Sequence, residues 1–478
     1  MAVNHFDLII IGSGPAGEKG AAYATGLGKK VAIIEKETAM GGAVANLGTL
    51  PSKTLREAAL YITGYRQRRI HGMTLAIENH LNAQDLLYHE RLVRQLEQAR
   101  IRAQFEGNKV ALYHGTASFL DAHTVHIARQ SKADKGEIIT GTIILIATGA
   151  VPYRPPIFPA NHPAIYDSES ILRMSEIPKN LTIVAGGVIG TEYACIFAAF
   201  GVQITLLEEN SRLVPFLDAD VSSTLLASMR AQNIDVRLDE QVVGCRARGM
   251  LMLALKSGSS LSTSAVLVTT GRRGNTASLN LQAVGLLAND LGLLSVNENY
   301  QTTQPNIYAV GDVTGFPSLA SSAREAATHA VAHAFSPEKG RNLKHIQPYG
   351  IYTIPECSMA GETEDGLSMH GVPWVAGVAY YAGNARGQII GAHAGFLKLL
   401  FHRQTLQLLG VHVIGEQASE LVHLGLIALQ TGANAELFLN TCFNYPTLSE
   451  LYRSAALNAV AKCRPEASPP SSILKPHG

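Results

Sequence analysis

Gly12, Gly14 and Gly17 occur in the run GSGPAG, immediately after the apolar run FDLIII (6–11) and before an alanine-rich helical stretch. At that spacing the first glycine permits a tight turn, the second lets backbone approach a pyrophosphate, and the third allows close helix–strand packing. Pro15 and Ala16 open the helix, whose N-terminal N–H groups and positive end attract phosphate. The next apolar run, KVAIIE (30–35), ends in Glu35, placed to accept hydrogen bonds from a ribose 2′-OH. Far along the chain, AVGDV (309–313) is a buried-strand pattern ending in Gly311 and Asp312, and it offers one carboxylate to a polyol.

The same grammar returns at 181–208: LTIVA, then GGVIGTEYACIFAAFG with helical spacing of apolar residues, then VQITLLE. Here the fingerprint is AGGVIG, so Gly187, Ile189 and Gly190 are kept and Ala185 takes the first-glycine position. If that position needs positive φ, alanine is strained by about 1 kcal/mol or more; Gly186 could absorb the turn instead. Glu208 closes the second unit, placed for the 2′-OH of NAD and repelling a 2′-phosphate. Asn210 stands where an NADP-binding enzyme more often has arginine, with Arg212, Arg272 and Arg273 as the remaining nearby cations. The expectation is NAD(H), with NADP(H) second.

These elements need a scaffold. The chain has 478 residues, which suggests about three domains. Two βαβ units imply two dinucleotide-binding domains in an α/β chain. We assign 1–150 and 272–344 to the first, 151–271 to the second, 345–463 to a domain of short β-like runs, and 464–478 to a Pro/Ser-rich tail. Residues 84–105 alternate charge and leucine and predict a long exposed helix. A net charge of +1 gives no field for nucleic acid. The start MAVNHFDLIII lacks a basic region, no apolar run reaches membrane-spanning length, and five scattered cysteines suit a reducing cytoplasm better than disulfides or zinc. His412, His423 and the other histidines lack ligand spacing, so no metal is expected.

The ordered set GSGPAG, GG…PSK (41–53), ATGA (147–150), the second fingerprint, GDV, YTIPE (352–356) and YPTLSE (445–450) resembles the flavoprotein disulfide reductase superfamily over nearly the whole chain. RRGNTASL (272–279), YQTTQPNIYAVGDVTGFPSLAS (300–321), LLFHRQT (399–405) and FNYPTLSELYRSAALN (443–458) are most similar to its soluble pyridine nucleotide transhydrogenases. The resemblance implies two Rossmann-like domains binding FAD and NAD(P), and a C-terminal α+β dimerisation domain in a homodimer. It places FAD against the first glycine loop with Lys36, against the entry Gly41–Gly42, and against Val44, Thr49 and Lys53. Ala117 in GTASF, Thr148 and Gly149 in ATGA, Asp312, and Leu319–Ala320 complete that site, and Gly271 joins the second nucleotide site.

Two departures decide the chemistry that the resemblance implies. The redox cysteine pair of the disulfide reductases corresponds here to Val44 and Thr49, neither of which forms a thiolate. Their proton-shuttling histidine corresponds to Tyr445, whose phenol at about pKa 10 is a poor shuttle at neutral pH. Glu450, the imidazole's orienting partner, is kept and can serve a dimer interface. Lys53, one turn past Thr49, is implied to reach the flavin and pair with Glu192, stabilising negative charge on the reduced ring. The reading is an FAD-dependent oxidoreductase moving hydride between nicotinamide nucleotides, with glutathione, dihydrolipoamide, thioredoxin and mercuric ion not expected as substrates. Two alternatives stay open: an NADH oxidase or diaphorase using a quinone or other small acceptor, and a non-catalytic flavin-binding regulator.

Overall fold

The first glycine loop follows strand Asn4–Ile11, a central strand of a seven-stranded sheet. We describe the computed structural model over residues 3–62, 87–129, 136–336 and 346–463. Contacts divide the described residues into two units: 3–62, 87–129, 136–209 and 233–336 in one, and 210–232 and 346–463 in the other.

In the first unit, strand Asn4–Ile11 lies between Val31–Glu35 and Glu137–Ile146, parallel to both. Ala111–His114 extends the sheet beyond Val31–Glu35, and Ile307–Ala309 pairs in parallel with Glu137–Ile146. Thr124–Ala128 and Thr116–Asp121 continue it antiparallel. Leu8, Ile9, Ile10 and Ile11 are all buried, as a strand covered on both faces requires. Ile9 and Ile11 point into one core with Phe119 and Ile144, and Leu8 and Ile10 into another with Ala21, Phe105 and Ala327. Helix Tyr88–Gly107 lies where a long helix was predicted; its charged face is exposed, while Glu90, Ile101 and Phe105 turn inward. Positions 84–86 and the tail 464–478 fall outside the described residues.

The same unit holds a second parallel sheet, ordered Asp235–Arg237, Gln203–Leu207, Asn180–Val184, Ala265–Val268 and Ile165–Asp167. The passages into and out of this region, Ala150–Pro152 and Arg272–Gly274, pair with each other antiparallel.

The C-terminal unit is built on five antiparallel strands, ordered Tyr349–Ile351, Glu356–Gly361, Leu408–Gly415, Phe396–His402 and Trp374–Tyr380. Helices Ala418–Gln430 and Leu451–Cys463 bury Leu421, Val422, Tyr452 and Ala455 against Leu399, Phe401, Val411 and Val413. Residues 210–232 group with this unit because Asp218 and Asp220, at the start of helix Ala219–Ala231, are ion-paired to Lys398. The architecture is α/β with two Rossmann-like sheets and a C-terminal antiparallel domain. No described helix is long and apolar enough to cross a membrane.

Candidate functional site

The turn after Asn4–Ile11 needs glycine for a steric reason visible in the backbone. Gly12 has φ +108°, and a Cβ there would stand 2.4 Å from the Ala147 carbonyl oxygen. A Cβ on Gly17 would stand 2.0 Å from the Gly12 carbonyl oxygen, so the helix Pro15–Gly26 leaves the strand at a distance only glycine permits. Gly14 occupies the N-cap without any side-chain cap, which leaves the first helical N–H groups open to an anion. Gly42, at φ +58°, brings the Gly-Gly entry so close to this loop that its Cβ would lie 2.9 Å from the Gly14 Cα.

Glu35 braces this loop. Its Oε2 accepts from the Ser13 N–H at 2.9 Å and the Ser13 hydroxyl at 2.6 Å, and its Oε1 accepts from the Glu37 N–H at 3.0 Å. The Ser13 hydroxyl in turn accepts from the Gly41 N–H at 3.0 Å, joining the two glycine segments. Neither Ser13 nor Asn46 was picked out from the sequence. The Asn46 amide donates to the Met40 and Gly42 carbonyls and fixes the turn that carries Val44. Lys36 is largely exposed beside Glu37.

Short helices then present the positions where a dithiol would sit. Val44 is half-buried in helix Gly42–Asn46, and Thr49 is exposed at the start of helix Thr49–Ile62. None of the five cysteines falls at either position. One turn into the second helix, the Lys53 ammonium meets both carboxylate oxygens of Glu192, at 2.9 and 2.6 Å. The glutamate side chain is 4% exposed and the lysine 23%, so the pair is anchored on its acidic side while the cation keeps some solvent access. Glu192 comes from helix Val188–Ala199 of the second glycine segment, 139 residues away.

Strand Ile307–Ala309 delivers Gly311, left-handed at φ +77°, and then Asp312. Burial raises the Asp312 carboxyl above its ordinary value against the pull of Arg272, whose Nε is 3.9 Å away. That Nε and the hydroxyl of Thr148 are buried without a hydrogen-bond partner. A desolvated carboxylate, an unpartnered guanidinium N–H and an unpartnered hydroxyl suit a ligand rich in hydroxyl and phosphate groups. This donor set, with the uncapped helix at Gly14, fits FAD. Ala117 is buried in strand Thr116–Asp121, Gly149 is left-handed, and Leu319 caps helix Ala320–Phe335.

The second loop repeats two main-chain bonds of the first, without those of the Ser13 hydroxyl. The Ala185 N–H donates to the Leu207 carbonyl at 2.9 Å, as Gly12 does to Ile34 at 2.8 Å. Glu208 Oε2 accepts from the Gly186 N–H as Glu35 does from Ser13. A Cβ on Gly190 would lie 2.0 Å from the Ala185 carbonyl oxygen, and Gly187 is an uncapped N-cap. Ile189 follows in the helix's first turn, and Gly271 is left-handed at φ +129°. Ala185 itself carries the positive φ, +82°, so the expectation that Gly186 might absorb the turn is corrected: the strand hydrogen bond fixes the crossover at 185 and leaves 186 no freedom to take it. Thr269, also missed, donates its hydroxyl to the Val184 and Ala185 carbonyls at 2.8 and 3.0 Å and holds the strained residue.

All three candidate arginines are engaged. Arg212 pairs with Asp365 at 3.0 Å, Arg273 stacks over Tyr153, and Arg272 bonds the Ala150 carbonyl and faces Glu169 and Asp312. Tyr445 and Glu450 lie in the C-terminal unit, Tyr445 68% exposed and Glu450 half-buried in the turn Leu448–Glu450. His412 is fully buried with its Nε2 donating to the Glu362 carbonyl, and His423 is exposed.

Residues 6–334 match the family described as Pyridine nucleotide-disulphide oxidoreductase, and residues 347–456 match its dimerisation domain. The chain belongs to the pyridine nucleotide-disulphide oxidoreductase family. Among its relatives, a soluble pyridine nucleotide transhydrogenase of Mycobacterium bovis (strain BCG / Pasteur 1173P2) is 39% identical over 463 residues, covering 97% of this chain and 98% of the relative. One from Marinomonas sp. (strain MWYL1) is 40% identical over 468 residues, covering 96% and 99%. Among solved structures, the Cu(II) complex of the HOCl-induced flavoprotein disulfide reductase RclA from Escherichia coli superimposes with a TM-score of 0.86 at 25% identity, covering 95% of this chain and 99% of that one. The family implies FAD and NAD(P)H, and the dimerisation domain implies a homodimer.

Proposed function

We propose that this flavin oxidoreductase transfers hydride between nicotinamide nucleotides and does not reduce disulfides. The observation that carries the reading is the Lys53–Glu192 pair standing beside a turn whose two redox positions are Val44 and Thr49. A bound FAD would supply two-electron hydride chemistry, held by the Gly12–Gly17 loop, the Gly41–Gly42 entry, Thr148 and Asp312. The chain's own share is electrostatic: Glu192 fixes the ammonium in place, so no reorganisation is needed when negative charge develops nearby. Neither Val44 nor Thr49 can take electrons onward, which confines electron exit to a second small molecule. Glu208, committed to the glycine loop and negatively charged, favours NADH over NADPH.

Anaerobic mixing with NADH and with NADPH, followed by the other oxidised nucleotide, tests this. Bleaching of the flavin by NADH and recovery by NADP+ is expected. Faster bleaching by NADPH would overturn the nucleotide preference, and enzymatic turnover of a disulfide would overturn the reading itself. Exposure of Thr49 favours the second reading, a diaphorase open to quinones; higher turnover with quinone than with thio-NAD+ would establish it.

A further inference from the structure

The C-terminal unit carries an open depression of about 560 Å³, called the cavity below, to which the nucleotide chemistry assigns no role. Its floor is one face of the edge strand Trp374–Tyr380. Gly377 on the opposite face packs so tightly on helix Leu451–Cys463 that a Cβ there would meet the Ala455 carbonyl at 2.0 Å, leaving Trp374, Ala376 and Val378 to face the cavity. The volume is within the range of small-molecule sites.

The two ends of this floor differ in charge. Lys398, directly across from Val378 in the neighbouring strand, is 1% exposed. Its ammonium is held by Asp218 at 2.9 Å, Asp220 at 2.7 Å and Glu364 at 2.7 Å. One ammonium has three donors, and all are used on three carboxylates, so two negative charges remain uncompensated. The second oxygen of Asp218 is buried without a hydrogen-bond partner. Four strand residues away, roughly 13 Å at strand rise, Trp374 lies beside the exposed side chains of Arg403 and Lys462. Backbone contacts set both cations there: the Arg403 N–H bonds the Pro373 carbonyl at 2.9 Å, and the Lys462 ammonium bonds the Ala376 carbonyl at 2.8 Å.

Fastening segment 210–232 to the sheet needs one ammonium and one carboxylate. Asp220 is 63% exposed and Glu364 26%, so both carboxylates keep a solvent-facing side beyond what the one ammonium neutralises, and this end of the floor is net negative toward anything that enters. An anion at that end would be repelled, and a simple cation would leave Arg403 and Lys462 unused. We propose that the cavity binds a small, elongated zwitterion. Its amine faces Asp220 and Glu364, its apolar middle lies on Val378 and Ala376 against the Trp374 indole, and its carboxylate faces Arg403 and Lys462.

Trp374 is the only tryptophan in the chain, so its emission reports on this cavity alone. The flavin-loaded dimer is titrated with 6-aminohexanoate, hexylamine and hexanoate at constant ionic strength, with calorimetry in parallel. The expected result is saturable binding of 6-aminohexanoate in the millimolar range, weakened about tenfold or more by R403A and by E364Q, with no saturation by either single-charge compound. R403A changes only an exposed side chain, so it decides the matter even where E364Q disturbs folding. Absence of zwitterion binding by both readouts, binding undiminished in R403A, or equal binding of hexylamine would overturn the proposal.

Discussion

Replacing Ala185 with glycine isolates the strain in the second nucleotide loop. A non-glycine residue in the left-handed region costs about 1–2 kcal/mol, and Ala185 sits there at φ +82°. Glycine removes that cost but adds back about 0.4–1 kcal/mol of unfolded-chain entropy, which leaves a net gain of about 0.5–1 kcal/mol. For a unit of this size that is about 1–3 °C in Tm. The loop already makes its counterpart's two main-chain bonds, to the strand carbonyl and to the glutamate, so the nucleotide Kd should stay within about twofold, the strain being equal in free and bound states. The reciprocal change, Gly12→Ala, meets both the positive φ and the Ala147 carbonyl at 2.4 Å; strain and overpacking together cost about 2–5 kcal/mol. Thermal melts of the flavin-loaded variants, with and without NAD+, check both. A185G with an unchanged or lower Tm would refute the strain argument, and a Kd tightened severalfold would show that the free loop relaxes away from the conformation described.

Lys53→Met leaves the buried Glu192 carboxylate without its cation, so it should cost about 1–3 kcal/mol, less than for a fully buried pair because the lysine is partly exposed. It should also slow flavin reduction by at least about tenfold. The double variant Lys53→Met/Glu192→Leu should recover the stability without the rate, as melts and stopped-flow reduction would show. Asp312→Asn removes a carboxylate whose folded pKa is raised by burial. Above that raised pKa the apoprotein should become more stable, below the unfolded pKa unchanged, and flavin affinity should fall. Burial depresses His412 to about 4, against an ordinary 6.5. The unfolded chain therefore takes up a proton first, and about 3 kcal/mol of stability present above pH 6.5 should be lost as pH falls to about 4; urea titrations of His412→Gln should show a flatter pH dependence.

What could be read from the sequence follows from the range over which each feature is encoded. GSGPAG is strand, turn and helix in one contiguous run, so its geometry is local, and the first loop has the conformation its spacing implies. The repeat at 181–208 was legible for the same reason. Glu35 and Glu208 were read as ribose acceptors, yet each already accepts from a backbone N–H inside its own loop. A bond to main chain leaves no trace in residue identity; only the serine between the two glycines hinted at it. Lys53 and Glu192 lie 139 residues apart, and Lys398 lies 178 and 180 residues from its aspartates. No periodicity links such positions; the first pair was reached through resemblance and the second not at all.

The two loops also separate what the fingerprint requires from what it merely prefers. Gly190 retains a carbonyl at 2.0 Å from its missing Cβ, as Gly17 does, and at these third positions sterics admit no side chain. At the first position the requirement is a conformation, one that alanine can adopt at a bounded cost. Thr269 stands where Ala147 stands in the first loop, with its N–H on the equivalent strand carbonyl, and its single hydroxyl proton is shared between two carbonyls, those of Val184 and Ala185, a contact Ala147 cannot make. That contact can offset part of the strain only while the threonine is there. Thr269→Ala should therefore destabilise the wild-type loop and A185G alike, by about 1 kcal/mol each, because both acceptors are main-chain carbonyls that A185G leaves in place. A loss larger by about 1 kcal/mol or more in one background would mean that the side chain at 185 changes the carbonyl geometry the threonine meets, and that strain and hydroxyl do not act independently.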